Sequence, residues 1–238
     1  MVNEGSFRGH IVLGVCILLA SFVFGLFFYL SRGEQKTVRV VGAANARTGS
    51  DVAKLRIILA RSVGPQELRN GYRGIGRDVS VLMKGLSDAG FAANEIQLNP
   101  ASSYQTHNRQ GSVTGYTVQQ SVVVTSHKVD TLQALALRPD RVLDLGIMLQ
   151  SLHIEYFSSN LDEIKKLLLA KATADAKKRA GEIVKGFGMT IQTIESARAG
   201  VFQITEPYST EVTDYGIYNT STREKEITVT VAATFVVE

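Results

Sequence analysis

Tryptophan is absent from the 238 residues, and cysteine occurs once, so no intrachain disulfide can form. Lack of disulfides suits a reducing compartment and does not exclude an oxidising one. Histidine is scarce as well. His10, His107, His127 and His153 stand in no HExxH or other ligand spacing, and Cys16 lies inside an apolar run. A Cys/His zinc site is therefore not expected, and no metal, cofactor-binding or catalytic residue is assigned. An excess of one charge is nearly lacking too. Lys plus Arg number 26 against 22 Asp plus Glu, for a net charge of +4. Such a mild excess, spread along the chain, suits an anionic surface but falls short of the clustered stripe of a nucleic-acid binder. No nucleic-acid partner is expected.

What is present is an ordinary globular composition, 45% hydrophobic and 20% charged. About 200 residues outside the N-terminus suffice to bury roughly 70% of the unfolded surface. Residues 11–31 read IVLGVCILLASFVFGLFFYLS without a charge. That is enough to span a hydrocarbon core, which takes about 20 residues. A cleaved signal peptide has an apolar region of about 7–15 residues and ends in small residues. This run is longer and closes on FFYLSRGEQ, so an uncleaved single-pass transmembrane anchor is the expectation. The division is then a short tail over 1–10, the anchor over 11–31, a linker over 32–36 and a folded domain over 37–238. Orientation is ambiguous from charge. Arg8 and the α-amino group flank one side, and Arg32, Lys36 and Arg39 the other; counted alone, these would put the C-terminal side in the cytoplasm.

The longest helical pattern runs from Asn160 to Gly188. Asn160 with Glu163 forms a helix-start signature, and Gly188 sits where a left-handed residue ends a helix. Ile164, Leu168, Ala172, Ala176, Ala180, Ile183 and Phe187 recur at spacings of three and four and predict one apolar stripe on a helix about 40 Å long. Strand patterns surround it: 37–41, the alternation Ala53-x-Leu55-x-Ile57-x-Leu59, 96–98, 116–125, 152–156, 191–195, 201–204, and the alternating run from Ile227 to Val237. Leu68, Tyr72, Ile75, Val79, Leu82 and Leu86 predict a further helix stopped at Gly90, with Gly71, Gly74 and Gly76 weakening it, admitting a close neighbour or marking a break. Residues 128–149 are helical in pattern and split by Pro139. Residues 100–115 read as a polar connection, and 206–224 as a loop whose tyrosines 208, 215 and 218 are expected to cover apolar surface, with a contact patch as the alternative. Paired strands alternating with helices predict an α+β fold with largely antiparallel sheets packed with long helices, preceded by one N-terminal transmembrane helix.

Candidate chemistry dissolves on inspection. GSVTG at 111–115 only superficially matches a nucleophile elbow, and GYRGIG at 71–76 is not a phosphate-binding fingerprint. Asp162 with Glu163, and Asp140 with Asp144, are acids of first helical turns. Lys177, Lys178 and Arg179 read as a solvated helix face. His153 alternates with Leu152 and Ile154 and so points away from them to solvent.

Several stretches, in order, resemble the SIMPL-domain family of bacterial envelope proteins. They are TVRVVGAANA (37–46), LMKGLSDAGFAANEIQLNP (82–100), GYTVQQSVVVTSHKVDTL (115–132), the alanine-rich LLLAKATADAKKRAGEIVKGFGM (167–189) and the closing ITVTVAATFVVE. The sequence departs from the family pattern at Gly42-Ala43-Ala44 and at the three helix glycines. The resemblance implies a SIMPL-like α+β domain outside the cytoplasm, and self-assembly in some members. It implies no catalytic residues. With the anchor it points to a membrane-anchored subgroup: an inner-membrane protein with its C-terminal domain in the periplasm. The expected role is a binding or self-assembly module with envelope partners and no enzymatic activity. The alternative is a periplasmic small-molecule binder or enzyme whose site is scattered in sequence.

Overall fold

The structure, a computed structural model, describes residues 4–31 and 36–238. Its elements in chain order are α1 (Glu4–Ser31), β1 (Thr37–Gly49), β2 (Val52–Val63), α2 (Leu68–Asp88), β3 (Ile96–Leu98), β4 (Ser102–His107), β5 (Val113–Ser126), α3 (Val129–Ala136), α4 (Asp140–Leu143), β6 (Leu149–Phe157), α5 (Leu161–Lys185), β7 (Ile191–Ala199), β8 (Gln203–Thr205), β9 (Ile217–Tyr218) and β10 (Glu224–Val237). The architecture is α+β: β10 with β8, β2 with β5 and β6, and β5 with β3 and β4 pair antiparallel, and β8 with β9 parallel. One sheet runs β3-β5-β2-β6, with β4 also on β5; the other runs β1-β10-β8-β9, with β7 also on β10.

Two compact units are distinguished. One comprises Gly42–Asp175 and Ala199–Val231. Its centre is β2, paired with β5 from Ala53↔Ser126 to Val63↔Tyr116 and with β6 on its other side. Period two sends Ala53, Leu55, Ile57 and Leu59 to one face, and all four are fully buried. Against them pack Ile75, Val79, Leu82 and Leu86 of α2 and Leu132 of α3. Each such side chain contributes about 1.5–3 kcal/mol on burial. A second cluster in this unit joins Leu168 and Ala172 of α5 to Ile204, Ile227, Val229 and Val231. The other unit comprises Met1–Val41, Ala176–Arg198 and Ala232–Glu238. Here Ala176 and Ala180 of α5 pack with Val40, Ala233 and Phe235. The Val237 N–H donates to the Lys36 carbonyl at 3.0 Å, beside the exit from the linker.

Three helix glycines do not break α2. A Cβ at Gly71 would lie 2.8 Å from a Val118 methyl, and one at Gly74 would lie 2.8 Å from Cδ of Arg61, so these two let the sheet's side chains approach. Gly76 faces open space. The polar connection predicted over 100–115 is instead a hairpin: β4 pairs with β5 through a turn that the Asn108 side chain closes by accepting from the backbone N–H groups of Gln110 and Ser112. Its SSYQTH sequence lacks apolar alternation because β4 is a largely exposed edge strand. On α5 the apolar stripe ends differently from the expectation. Val184 is buried, while Ile183 and Phe187 are 46% and 78% exposed. The buried path 168-172-176-180-184 keeps a spacing of four throughout, and the step to 183 departs from it. Gly188 does close the segment, at φ +68°.

Candidate functional site

In the first unit a polar cleft forms where two chain reversals meet. Ser50 and Asp51 link β1 to β2, and the pairing Ala53↔Ser126 sets this turn beside His127 and Lys128, which link β5 to α3. Asp130 and Arg223 complete the lining. The Ser50 N–H donates to the Arg223 carbonyl at 2.9 Å, and Arg223 Nη1 donates to Asp130 Oδ1 at 2.5 Å. Nδ1 of His127 lies 3.0 Å from the Asp51 carbonyl. The Asp51 carboxylate turns the other way and accepts from the backbone N–H of Ser159 at 2.7 Å and from its hydroxyl. That hydroxyl is the main reason the Asp51 carboxyl is held below its ordinary range. Lys128 is engaged as well, its Nζ donating to the Gly90 carbonyl at 2.5 Å. Ser50 is 6% exposed, and its hydroxyl has no hydrogen-bond partner among the described residues.

Chemically, the cleft offers a buried unsatisfied hydroxyl, an imidazole and an Arg–Asp pair. His127 makes no hydrogen bond to Ser50, so the set is not arranged as a nucleophile and its base. It fits recognition of a small polar group. The cleft joins residues from 50 to 223, and no local motif announces it.

The sequence candidates fall elsewhere. His107 ends β4 and His153 lies on β6, both exposed, and the side chain of His10 lies outside the described residues. Among the described residues no group of three or more His, Cys, Asp or Glu is placed to hold a metal ion. Asp140 pairs with Arg138 at 2.9 Å, which lowers its carboxyl pKa. Asp162 and Glu163 stand in the first turn of α5, and Lys177, Lys178 and Arg179 are exposed along it. GYRGIG falls within α2, and GSVTG enters β5.

The 206–224 segment departs from the expectation for its tyrosines. Tyr215 is 97% exposed and covers nothing, whereas Tyr208 lies under the Arg47 guanidinium, 4.3 Å from ring centroid to carbon. Tyr208 also has a positive φ, +66°, a costly conformation for a bulky side chain. Tyr218 alone packs as expected, with its ring centroid 6.2 Å from that of Phe157. The segment is tied down by Lys225. This lysine is fully buried, and its Nζ donates to the carbonyls of Asn219 at 2.6 Å and Thr222 at 2.7 Å. Burial without a carboxylate lowers its pKa.

Helix α1 contributes a surface of another kind. From Val12 to Tyr29 none of its residues is buried, and by length and composition it is apolar enough to cross a membrane.

A search of curated proteins returns no match. The profile of the SIMPL family, described as a protein of unknown function (DUF541), matches residues 38–235. That span takes in every strand described above apart from the first residue of β1 and the last two of β10, so the chain belongs to the SIMPL family.

Proposed function

We propose that this chain is a membrane-anchored SIMPL-domain protein that acts as a non-catalytic binding and self-assembly module of the bacterial cell envelope. Its domain would stand in the periplasm on a single inner-membrane span. The observation that carries this reading is α1, with eighteen residues of apolar surface, Val12–Tyr29, none of them buried among the described residues. Leaving such a surface in water would be costly, and a bilayer removes that cost. Apolar side chains exposed within one short segment support the binding role: Leu137 and Met148 are 70% and 62% exposed, with Leu143 and Leu145 between them. The test takes native membranes through an alkaline wash, then treats intact spheroplasts with protease. Retention with digestion of the domain from outside supports the reading; release by the wash or protection from protease overturns it. The mass of the detergent-extracted chain, corrected for bound detergent, tests assembly, and a monomer at every concentration removes it.

A second reading, a small-molecule binder, is favoured by the unpartnered Ser50 hydroxyl beside the polar cleft. Ligand-dependent changes in the His127 ring resonances would support it, and their absence across a library of polar metabolites would count against it.

A further inference from the structure

Helix α2 shows two unlike faces. Inward lie Gly71, Gly74, Ile75, Asp78, Val79, Leu82 and Leu86, all buried. Outward lie Arg69, Arg73, Arg77 and Lys84, all exposed. At 3.6 residues per turn these four fall within an arc of about 80°. Unlike Arg47, Arg61, Arg138 and Arg223, none of the four has an ion pair or hydrogen bond among the described residues. Along this arc four positive charges follow one another with no acid between them. A solvated helix face ordinarily mixes signs at spacings of four, but this one sets like charges at 69, 73 and 77, which repel. Asp88 follows Lys84 by one turn at the helix end.

Between Arg73 and Arg77 the ridge is notched at Gly76, where a Cβ would meet nothing within 4 Å. Asn70, Arg73, Gly76, Arg77, Ser80 and Val81 line a shallow depression there, with no carboxylate among the described lining residues. Two guanidinium groups over an open notch with amide and hydroxyl neighbours match the oxygens of a phosphate. The depression is open rather than enclosed, which suits a headgroup presented by a surface more than a free ion. The chain supplies such a surface through its own α1. The five-residue linker, 32–36, reaches at most about 18 Å when extended, so the folded part is held at high effective concentration beside headgroups. Basic clusters beside a membrane span are drawn to anionic lipid.

We infer that the Arg69–Arg73–Arg77–Lys84 face of α2, centred on the Gly76 notch, binds phosphate headgroups of anionic phospholipid in the bilayer that holds the chain. This inference rests on the anchor reading above. The test uses the full chain carrying Cys16→Ser and Ser87→Cys, with a donor fluorophore at position 87, reconstituted into phosphatidylcholine vesicles bearing a headgroup acceptor, with or without phosphatidylglycerol. Alkaline washing first establishes insertion. Energy transfer is expected to rise at least about twofold with phosphatidylglycerol, to decline with added salt, and to lose its lipid dependence in Arg73→Gln/Arg77→Gln. Lys177→Gln/Lys178→Gln, on α5, should leave it unchanged. Insertion with equal transfer in both lipids overturns this inference alone, whereas failure to insert overturns the anchor reading and this inference with it. Saturable binding of inorganic phosphate to the detergent-extracted chain, or retardation of duplex DNA by it, without a response to phosphatidylglycerol assigns the face to those anions and overturns the lipid.

Discussion

The Arg61 guanidinium grips the Asp78 carboxylate with two hydrogen bonds, Nε to Oδ2 at 2.6 Å and Nη2 to Oδ1 at 2.8 Å. Its stem passes beneath Gly74, so the glycine of α2 and the ion pair form one device linking helix to sheet. The partners are unequally buried, with side-chain exposures of 37% for Arg61 and 7% for Asp78. Removing either one therefore has different consequences. Arg61→Ala strands a buried carboxylate and is expected to cost about 3–5 kcal/mol. Asp78→Ala leaves an arginine that water can reach, and is expected to cost about half as much. Urea unfolding of the two variants checks the order.

Gly115 and Gly76 make opposite predictions for the same substitution. A Cβ at Gly115 would stand 2.2 Å from the Val63 carbonyl oxygen, between two paired strands. Gly115→Ala is expected to destabilise by about 3 kcal/mol or more. Gly76→Ala meets open space and is expected to stabilise α2 by up to about 1 kcal/mol. Thermal melts should move in opposite directions, with Gly76→Ala rising by about 2–4 °C.

Lys225 predicts an unusual dependence on pH. Its folded-state pKa is depressed by burial below the ordinary value of 10.5, so the unfolded chain binds more protons in the interval between the two. Its contribution to stability should accordingly rise with pH up to the unfolded value and be lost as pH falls through the folded one. Lys225→Met removes this slope. The stability of wild type relative to the variant should grow between neutral pH and the ordinary lysine value, read by urea titrations at stepped pH.

Asp51 predicts the acid limb. Its carboxyl pKa lies below the ordinary 3.8, chiefly through the Ser159 hydroxyl. The stabilisation is present above that ordinary value and disappears as pH falls through the folded one. Asp51→Asn is expected to cost about 1 kcal/mol at neutral pH, and nothing once the wild-type carboxyl is protonated. Converging acid denaturation curves are the check.

Much of the fold was legible because burial imposes a period. β2 and β10 alternate cleanly, and α2 repeats at three and four, so each shows its inward face in the sequence. The β10 alternation, run backwards from Val229 and Ile227, even lands on Lys225, whose polar character hid its burial. β4 was not legible, since an exposed edge selects for hydrogen bonding rather than apolar side chains. The polar cleft was hidden for another reason. Ser50, His127 and Arg223 meet only through strand register and chain reversal, which no local spacing encodes. The basic face of α2 lay in plain view, but averaging charge over the whole chain diluted it.

The hydrogen bond from Val237 to Lys36 joins residues about 200 positions apart. Strand β1 precedes β2 to β9 in the chain, and its neighbour β10 follows them all. A growing chain must therefore hold β1 without its β10 partner until all of these have been made, exposed to holdase chaperones and proteases. A premature stop before Glu224 would deprive β1 of its partner, so quality control should clear such truncated chains as unfolded.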